Sequence, residues 1–206
     1  MSVLIASFGF DIDFIVKRIA SKKYSKVVLI ALKTGSGFKK VEKAYDTLNI
    51  LCNSLNIACR LEPVTPEALF ESVRSILLRE VSGPGEVEVY LTGGPRMLVV
   101  ALLLSLLTLP LEYVSKTKVV VEGEGFECSL LADLQLLIAL LKLDERDRII
   151  VSNLEGSRNT LAEIARKTGI PKATLYRRLE ELVEKKIVVK EEFYSVKNIA
   201  EVTCVE

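Results

Sequence analysis

Apolar residues in the first 130 positions form short continuous runs, each followed by a stretch where they recur three and four residues apart. The runs Val3–Ser7, Lys26–Lys33 and Glu86–Leu91, with a weaker one at Ile57–Leu61, read as strands buried on both faces. The first intervening stretch carries Phe14, Ile15 and Ile19 on one helical face, with Asp11 placed to cap it. The second, from about Phe38 to Asn56, aligns Val41, Ala44, Tyr45, Leu48, Leu51, Cys52 and Leu55. In the third, Thr65 and Pro66 stand as N-cap and first helical residue of a helix reaching about Val81. Gly94-Pro95 opens an unusually apolar helix, and Val119–Leu130 reads as a hairpin turning at Gly123–Gly125. Strand and helix in alternation predict an α/β domain, with a mostly parallel sheet and helices on both faces.

After Leu131 the pattern changes. An apolar stretch, Leu134–Leu143, leads into the charged segment Asp144–Arg148, and short helical patterns follow. We therefore divide the chain into a first domain at 1–132 and a second at 133–206, the latter opening on a linker helix. In the second domain Thr160 and Glu163 have capping-box spacing ahead of the stripe Leu161, Ile164 and Ala165. Gly169 supplies a turn, and Pro171 starts a helix with a core face of Leu175, Leu179, Leu182 and Val183. Ile187–Val196 alternates like a two-stranded hairpin. This is the pattern of a winged helix-turn-helix.

Composition narrows the chemistry. Formal charge is +1 over 206 residues, so no overall field attracts nucleic acid. Between Arg158 and Lys190, however, nine basic residues meet four acidic ones, a local sum of +5. With Leu175 and Leu179 facing the core, Lys172, Thr174, Tyr176, Arg177 and Arg178 point outward as DNA contacts, joined by Thr160 and Lys190. Arginine suits guanine edges, whereas lysine and threonine suit phosphates. The chain has no histidine, which removes imidazole catalysis and imidazole metal ligands. Its four cysteines, 52, 59, 128 and 204, lack Cys-x-x-Cys spacing and read as buried free thiols. We expect no metal and no cofactor. The longest apolar run, Met97–Leu111, spans 15 residues, short of the roughly 20 that cross a bilayer. Met1–Ala6 lacks the basic start of a signal peptide. A cytoplasmic protein without a membrane partner is the expectation.

In an open parallel sheet, ligands bind beyond the carboxyl ends of the strands. Three such ends are rich in small and polar residues: Ser7–Asp11, Lys33–Gly37 and Thr92–Met97. In the last, Gly93 and Gly94 admit close approach to backbone N–H groups, while Arg96 sits at a helix start. A cation there opposes the helix dipole and asks for an anion such as phosphate. Standard nucleotide motifs are missing: Lys40 occupies the third glycine position after Gly35 and Gly37, and no Walker A sequence exists.

Phe8-Gly9-Phe10-Asp11 after the first strand, Leu91–Met97 after the fourth, and a following winged helix together resemble one known group. These are the archaeal CRISPR-associated regulators that join a Rossmann-like CARF domain to a winged helix-turn-helix. The resemblance covers nearly the whole chain and turns on Thr92, Gly94, Arg96 and Met97. It implies a homodimer binding a cyclic oligoadenylate, usually cyclic tetra-adenylate, across its two-fold axis. Carried over, Thr92, Gly93, Gly94, Pro95, Arg96 and Met97 would cradle phosphate and ribose with Phe8, Gly9 and Asp11. Thr34, Gly35, Ser36 and Gly37 would complete the rim. The resulting reading is a ligand-responsive transcriptional regulator that binds double-stranded DNA. Two alternatives stay open: a ring nuclease cleaving cyclic oligoadenylate, and a winged-helix regulator of another anionic metabolite.

Overall fold

The computed structural model describes residues 2–123, 128–154 and 159–204, and for Ser36 the backbone alone. Two compact units divide the chain, residues 2–132 with 201–204 in one and residues 133–200 in the other.

The first unit is built on seven strands. They are β1 (Ser2–Phe8), β2 (Lys26–Leu32), β3 (Ala58–Val64), β4 (Glu86–Tyr90), β5 (Thr117–Glu122), β6 (Cys128–Ala132) and β9 (Ala200–Cys204), in the order β3-β2-β1-β4-β5-β6-β9. The strands from β3 through β2, β1 and β4 to β5 run parallel to one another, and β6 runs antiparallel to β5. The strand order reverses between β1 and β4, the switch point of a doubly wound sheet. Leu4, Ala6, Val27, Leu29 and Ala31 bury one face under α1 (Asp13–Ser21) and α2 (Phe38–Ser54). Ile5, Val28, Ile30 and Val89 alternate to the other face and are equally buried. Two further helices, α3 (Leu69–Val81) and α4 (Arg96–Leu107), pack on each other, and the short α5 (Leu111–Val114) precedes β5.

Two carboxylates are buried in this unit, Glu80 on α3 and Glu88 on β4. The Glu88 side chain on β4 is 3% exposed and accepts from Arg18 Nε at 2.6 Å, Tyr24 Oη at 2.6 Å and Lys22 Nζ at 2.9 Å. Burial raises the Glu88 carboxyl, but these three donors outweigh it and leave its pKa below the usual carboxylate range.

The second unit holds α6 (Leu134–Leu141), α7 (Glu145–Ser152), α8 (Leu161–Thr168), α9 (Lys172–Glu184) and the antiparallel pair β7 (Val188–Lys190) and β8 (Tyr194–Val196). Leu136, Ile150, Ile164, Leu175, Leu179, Leu182 and Ile187 form its core.

Several expectations change. The helix expected from Pro66 begins at Leu69, because residues 66–68 turn first. The third strand runs on to Val64, tolerating Pro63 because β3 is the sheet edge. The apolar stretch Leu134–Leu143 ends as a helix at Leu141, and Asp144 starts α7 by accepting from the Asp147 N–H at 2.8 Å. The hairpin β5–β6 forms, while Glu124 and Gly125 of its expected turn lie outside the described residues. Last, the cysteines are not all free thiols: Cys128 on β6 and Cys204 on β9 form a disulfide, leaving Cys52 and Cys59 free. Its halves lie 76 residues apart in sequence, and β9 returns from beyond the second unit to the sheet of the first.

Candidate functional site

At the switch point the loops after β1 and β4 touch through glycine. A Cβ on Gly94 (φ +73°) would lie 3.1 Å from the backbone N, C and O of Phe8, and one on Gly9 would lie 3.1 Å from Gly94 Cα. Ser7 Oγ donates to the Gly93 carbonyl at 2.8 Å and ties the same two loops. Beside this contact opens a cavity of about 610 Å³. Its lining comes from Gly9, Phe10, Asp11 and Phe14, from Leu32, Thr34, Gly37, Phe38 and Val41, and from Gly93, Gly94 and Pro95. Asp11 lines the cavity and its Oδ1 accepts from the Asp13 N–H at 3.0 Å, but it does not cap α1 as expected: the N-cap position is Ile12, and no side chain caps that helix.

Of the residues singled out from the sequence, Gly9, Asp11, Thr34, Gly37, Gly93, Gly94 and Pro95 meet at this cavity. Phe8 does not line it; the side chain is core, 1% exposed, because it completes the inward alternation of β1. Thr92 is also buried. Its Oγ1 accepts from the Glu122 N–H at 2.7 Å and fastens the end of β4 to β5. Gly35 lines an adjoining depression with Lys33, Thr34, Phe38 and Lys39. The side chain of Ser36 lies outside the described residues. Arg96 and Met97 are exposed in the first turn of α4, outside the cavity lining. Sequence reasoning missed Phe10, Phe14, Leu32, Phe38 and Val41. Phe10 carried a usable signal, since it follows the glycine that ends β1 and therefore leaves the strand's alternation.

In the second unit the expected capping box is present. Glu163 Oε2 accepts from the Thr160 N–H at 2.8 Å, and Gly169 ends α8 at φ +70°. Along α9, Lys172, Tyr176 and Arg177 are exposed, the Arg177 side chain at 72%. Thr174 is half-buried. Arg178 turns inward instead. Its side chain is 17% exposed and its Nη1 reaches Asp147 Oδ1 at 2.6 Å and Asp144 Oδ2 at 2.8 Å. Those two carboxylates raise its pKa further above the ordinary arginine value. Lys190 on the wing pairs with Glu180 at 2.8 Å and sits 5.3 Å above the Tyr176 ring, bracing β7 against α9. Thr160 is likewise engaged by Glu163. Arg158, counted in the basic stretch, lies outside the described residues.

A switch-point cavity in a doubly wound sheet, and a helix-turn-helix further along the chain, define a Rossmann-like domain joined to a nucleic-acid-binding type of module. The chain belongs to the family of the Csa3 CRISPR-associated Rossmann-like domain, which matches residues 2–131. Residues 153–192 match the IclR helix-turn-helix domain. Among solved structures, protein VC1899 from Vibrio cholerae is similar over 96% of this chain and 62% of its own, with a TM-score of 0.50 and 16% identity. Can2 from Sulfobacillus thermosulfidooxidans, in complex with cyclic tetra-adenylate, aligns over 96% of this chain and 61% of its own, with a TM-score of 0.48 and 11% identity. The chain thus spans about three-fifths of the length of either protein. At 16% identity the likeness to VC1899 is one of fold. No curated protein matches the chain.

Proposed function

We propose that this chain is a DNA-binding transcriptional regulator of CRISPR-associated genes, controlled by a cyclic oligoadenylate bound at the switch-point loops, with cyclic tetra-adenylate the first ligand to test. The observation that carries the reading is the pairing, in one chain, of a glycine-built switch-point cavity with a helix-turn-helix whose Lys172, Tyr176 and Arg177 are exposed at the start of α9. Membership of the Csa3 family and the IclR-type module support the same assignment.

The working unit of this reading is a homodimer. Met97, Val100 and Leu104 on α4 are about half exposed and recur three and four residues apart, with Leu103 and Leu111 beside them. This is an apolar stripe of the kind a second copy covers, and it starts next to Arg96 at the pocket loop. A ligand with two-fold symmetry then meets both copies. It changes DNA affinity only as far as it binds the two states of the dimer unequally. Such a regulator works in the cytoplasm; among the described residues no helix is long and apolar enough to cross a membrane.

The test is a mobility-shift titration on the promoter neighbouring its gene, with and without cyclic tetra-adenylate, followed by recovery of the ligand. A shifted DNA affinity with intact ligand is the expected result. Linear product in the recovered ligand makes the chain a ring nuclease. A DNA affinity indifferent to all cyclic oligoadenylates sinks the sensing half of the proposal.

A further inference from the structure

Cys52 and Cys59 keep free thiols, and the fold sets them face to face. Cys52, in the last turns of α2, is fully buried, whereas Cys59, the second residue of β3, is half-buried. Between them the chain reverses at Asn56, which takes a left-handed φ of +55°, and the Ile57 N–H donates to the Cys52 carbonyl at 2.9 Å. Cys59 and Leu61 alternate onto the face of β3 that packs under α2, and Tyr45 Oη on that helix donates to the Cys59 carbonyl at 3.2 Å. The side chains meet directly, the Cys59 S–H donating to the Cys52 sulfur. That bond pulls the Cys52 thiol below its ordinary value and, with burial, pushes the Cys59 thiol up. Two thiols joined this way titrate as a pair. The first proton leaves more readily than from a lone thiol, because the remaining S–H steadies the thiolate on whichever sulfur it stands. Of the two, only Cys59 meets solvent, at the edge strand of the sheet. Neither lines the switch-point cavity.

We propose that Cys59 and Cys52 form a dithiol site that exchanges with small-molecule disulfides, Cys59 being the entry thiol and Cys52 the resolving one. The Cys59 thiolate attacks one sulfur of the small disulfide, whose S–S bond breaks; a mixed disulfide forms at Cys59 and one small thiolate leaves. Cys52, its proton passed to that leaving thiolate, attacks the Cys59 sulfur and expels the second small thiolate. The two protein thiols are oxidised to a Cys52–Cys59 disulfide, the small disulfide is reduced to two small thiols, and the two protons lost by the protein end on them. The product ties the end of α2 to β3. The Cys128–Cys204 bond shows that the same unit already accommodates a disulfide.

The full chain is incubated under native conditions with glutathione disulfide, its remaining thiols are alkylated, and it is digested with trypsin. No lysine or arginine separates the two cysteines, so both fall on the single peptide Ala44–Arg60. In the native chain this peptide should become two hydrogens lighter, escape alkylation and carry no glutathione, and a dithiol reductant should return it to its starting mass. Cys52→Ala should stop the sequence halfway, with glutathione retained on Cys59. Cys59→Ser should leave the buried Cys52 reduced, reacting at least about tenfold more slowly than the native pair. A native peptide that keeps both thiols, or that accumulates glutathione on Cys59, overturns the proposal. Both results are read from the native chain, so a variant that fails to fold does not decide the matter. Glutathione on Cys52 in a folded Cys59→Ser chain, at the native rate, overturns Cys59 as the entry thiol.

Discussion

The cavity and the start of α9 are two sites of opposite construction. The exposed residues Lys172, Tyr176 and Arg177 fall within six consecutive positions, and one turn and a half of helix presents them. The cavity collects residues 9–14, 32–41 and 93–95 from the ends of three strands. A local site is set by helix periodicity and carries little of the fold. A site assembled from distant loops exists only where their backbones meet, so its residues answer to fold and ligand at once. Two glycines separate these cases at nearly the same φ. Gly94 and Gly169 sit at φ +73° and +70°, but a Cβ on Gly169 meets nothing within 4 Å. Gly169→Ala should therefore cost about 1–2 kcal/mol, the left-handed strain alone. Gly94→Ala adds a collision with three backbone atoms of Phe8 and should cost about 3–5 kcal/mol, together with ligand binding. Denaturant unfolding of both variants tests this. Equal losses would mean that the loops do not need their close approach.

The next largest effect concerns β9. Its residues beyond Ala200 are exposed, so backbone pairing and the Cys128–Cys204 bond are what hold the strand to the sheet. Cys204→Ser should lower stability by about 2–4 kcal/mol, in line with a long closed loop. The same variant should abolish any effect of a dithiol reductant on the midpoint. If wild-type chain with and without reductant unfolds at the same denaturant concentration, the tether contributes nothing.

The same contrast explains what was legible in the sequence. Thr160, Glu163, Gly169 and Pro171 act on neighbours within a few positions, so the helix-turn-helix was readable from spacing. The strands β1 and β2 were readable because both faces of each are mostly apolar. Which loops would touch depended on strand order, so Gly9 and Gly94 could be named, but their contact could not. Phe8 and Phe10 show the limit most sharply. Both flank Gly9, and one is core while the other lines the cavity, a difference that only the glycine between them signals in the sequence. Arg178 was misplaced for a similar reason. Its partners Asp144 and Asp147 precede it by 34 and 31 residues, beyond any helical period. The disulfide spans still more chain.

Acid should weaken the first unit by a smaller margin, through Glu88. Glu88 titrates lower in the folded chain than in the unfolded one. Its contribution is complete above the ordinary carboxylate value of 4.5 and is lost as pH falls through the lower folded value. Glu88→Gln should be less stable at neutral pH, yet lose less than wild type between about pH 5 and pH 3. Parallel acid profiles of the two chains would remove Glu88 from the account.

The smallest and most local effect lies between two neighbouring arginines on α9. Arg177 has one weak partner among the described residues, Glu181 at 3.9 Å, and its side chain is 72% exposed. Arg178 is fixed between Asp144 and Asp147, and the latter's side chain is 8% exposed. Arg177→Ala should leave stability within about 0.5 kcal/mol and weaken operator binding by about 1–3 kcal/mol if it reads a base. An equal loss on all sequences would make it a phosphate contact instead. Arg178→Ala leaves the buried Asp147 carboxylate without its cation, and should cost the helix-turn-helix about 1–2 kcal/mol of stability. At a temperature well below its midpoint, its DNA affinity should stay near wild type. A variant that loses DNA binding while keeping its unfolding midpoint would place Arg178 at the DNA. The pair of aspartates would then be its resting partners rather than its purpose.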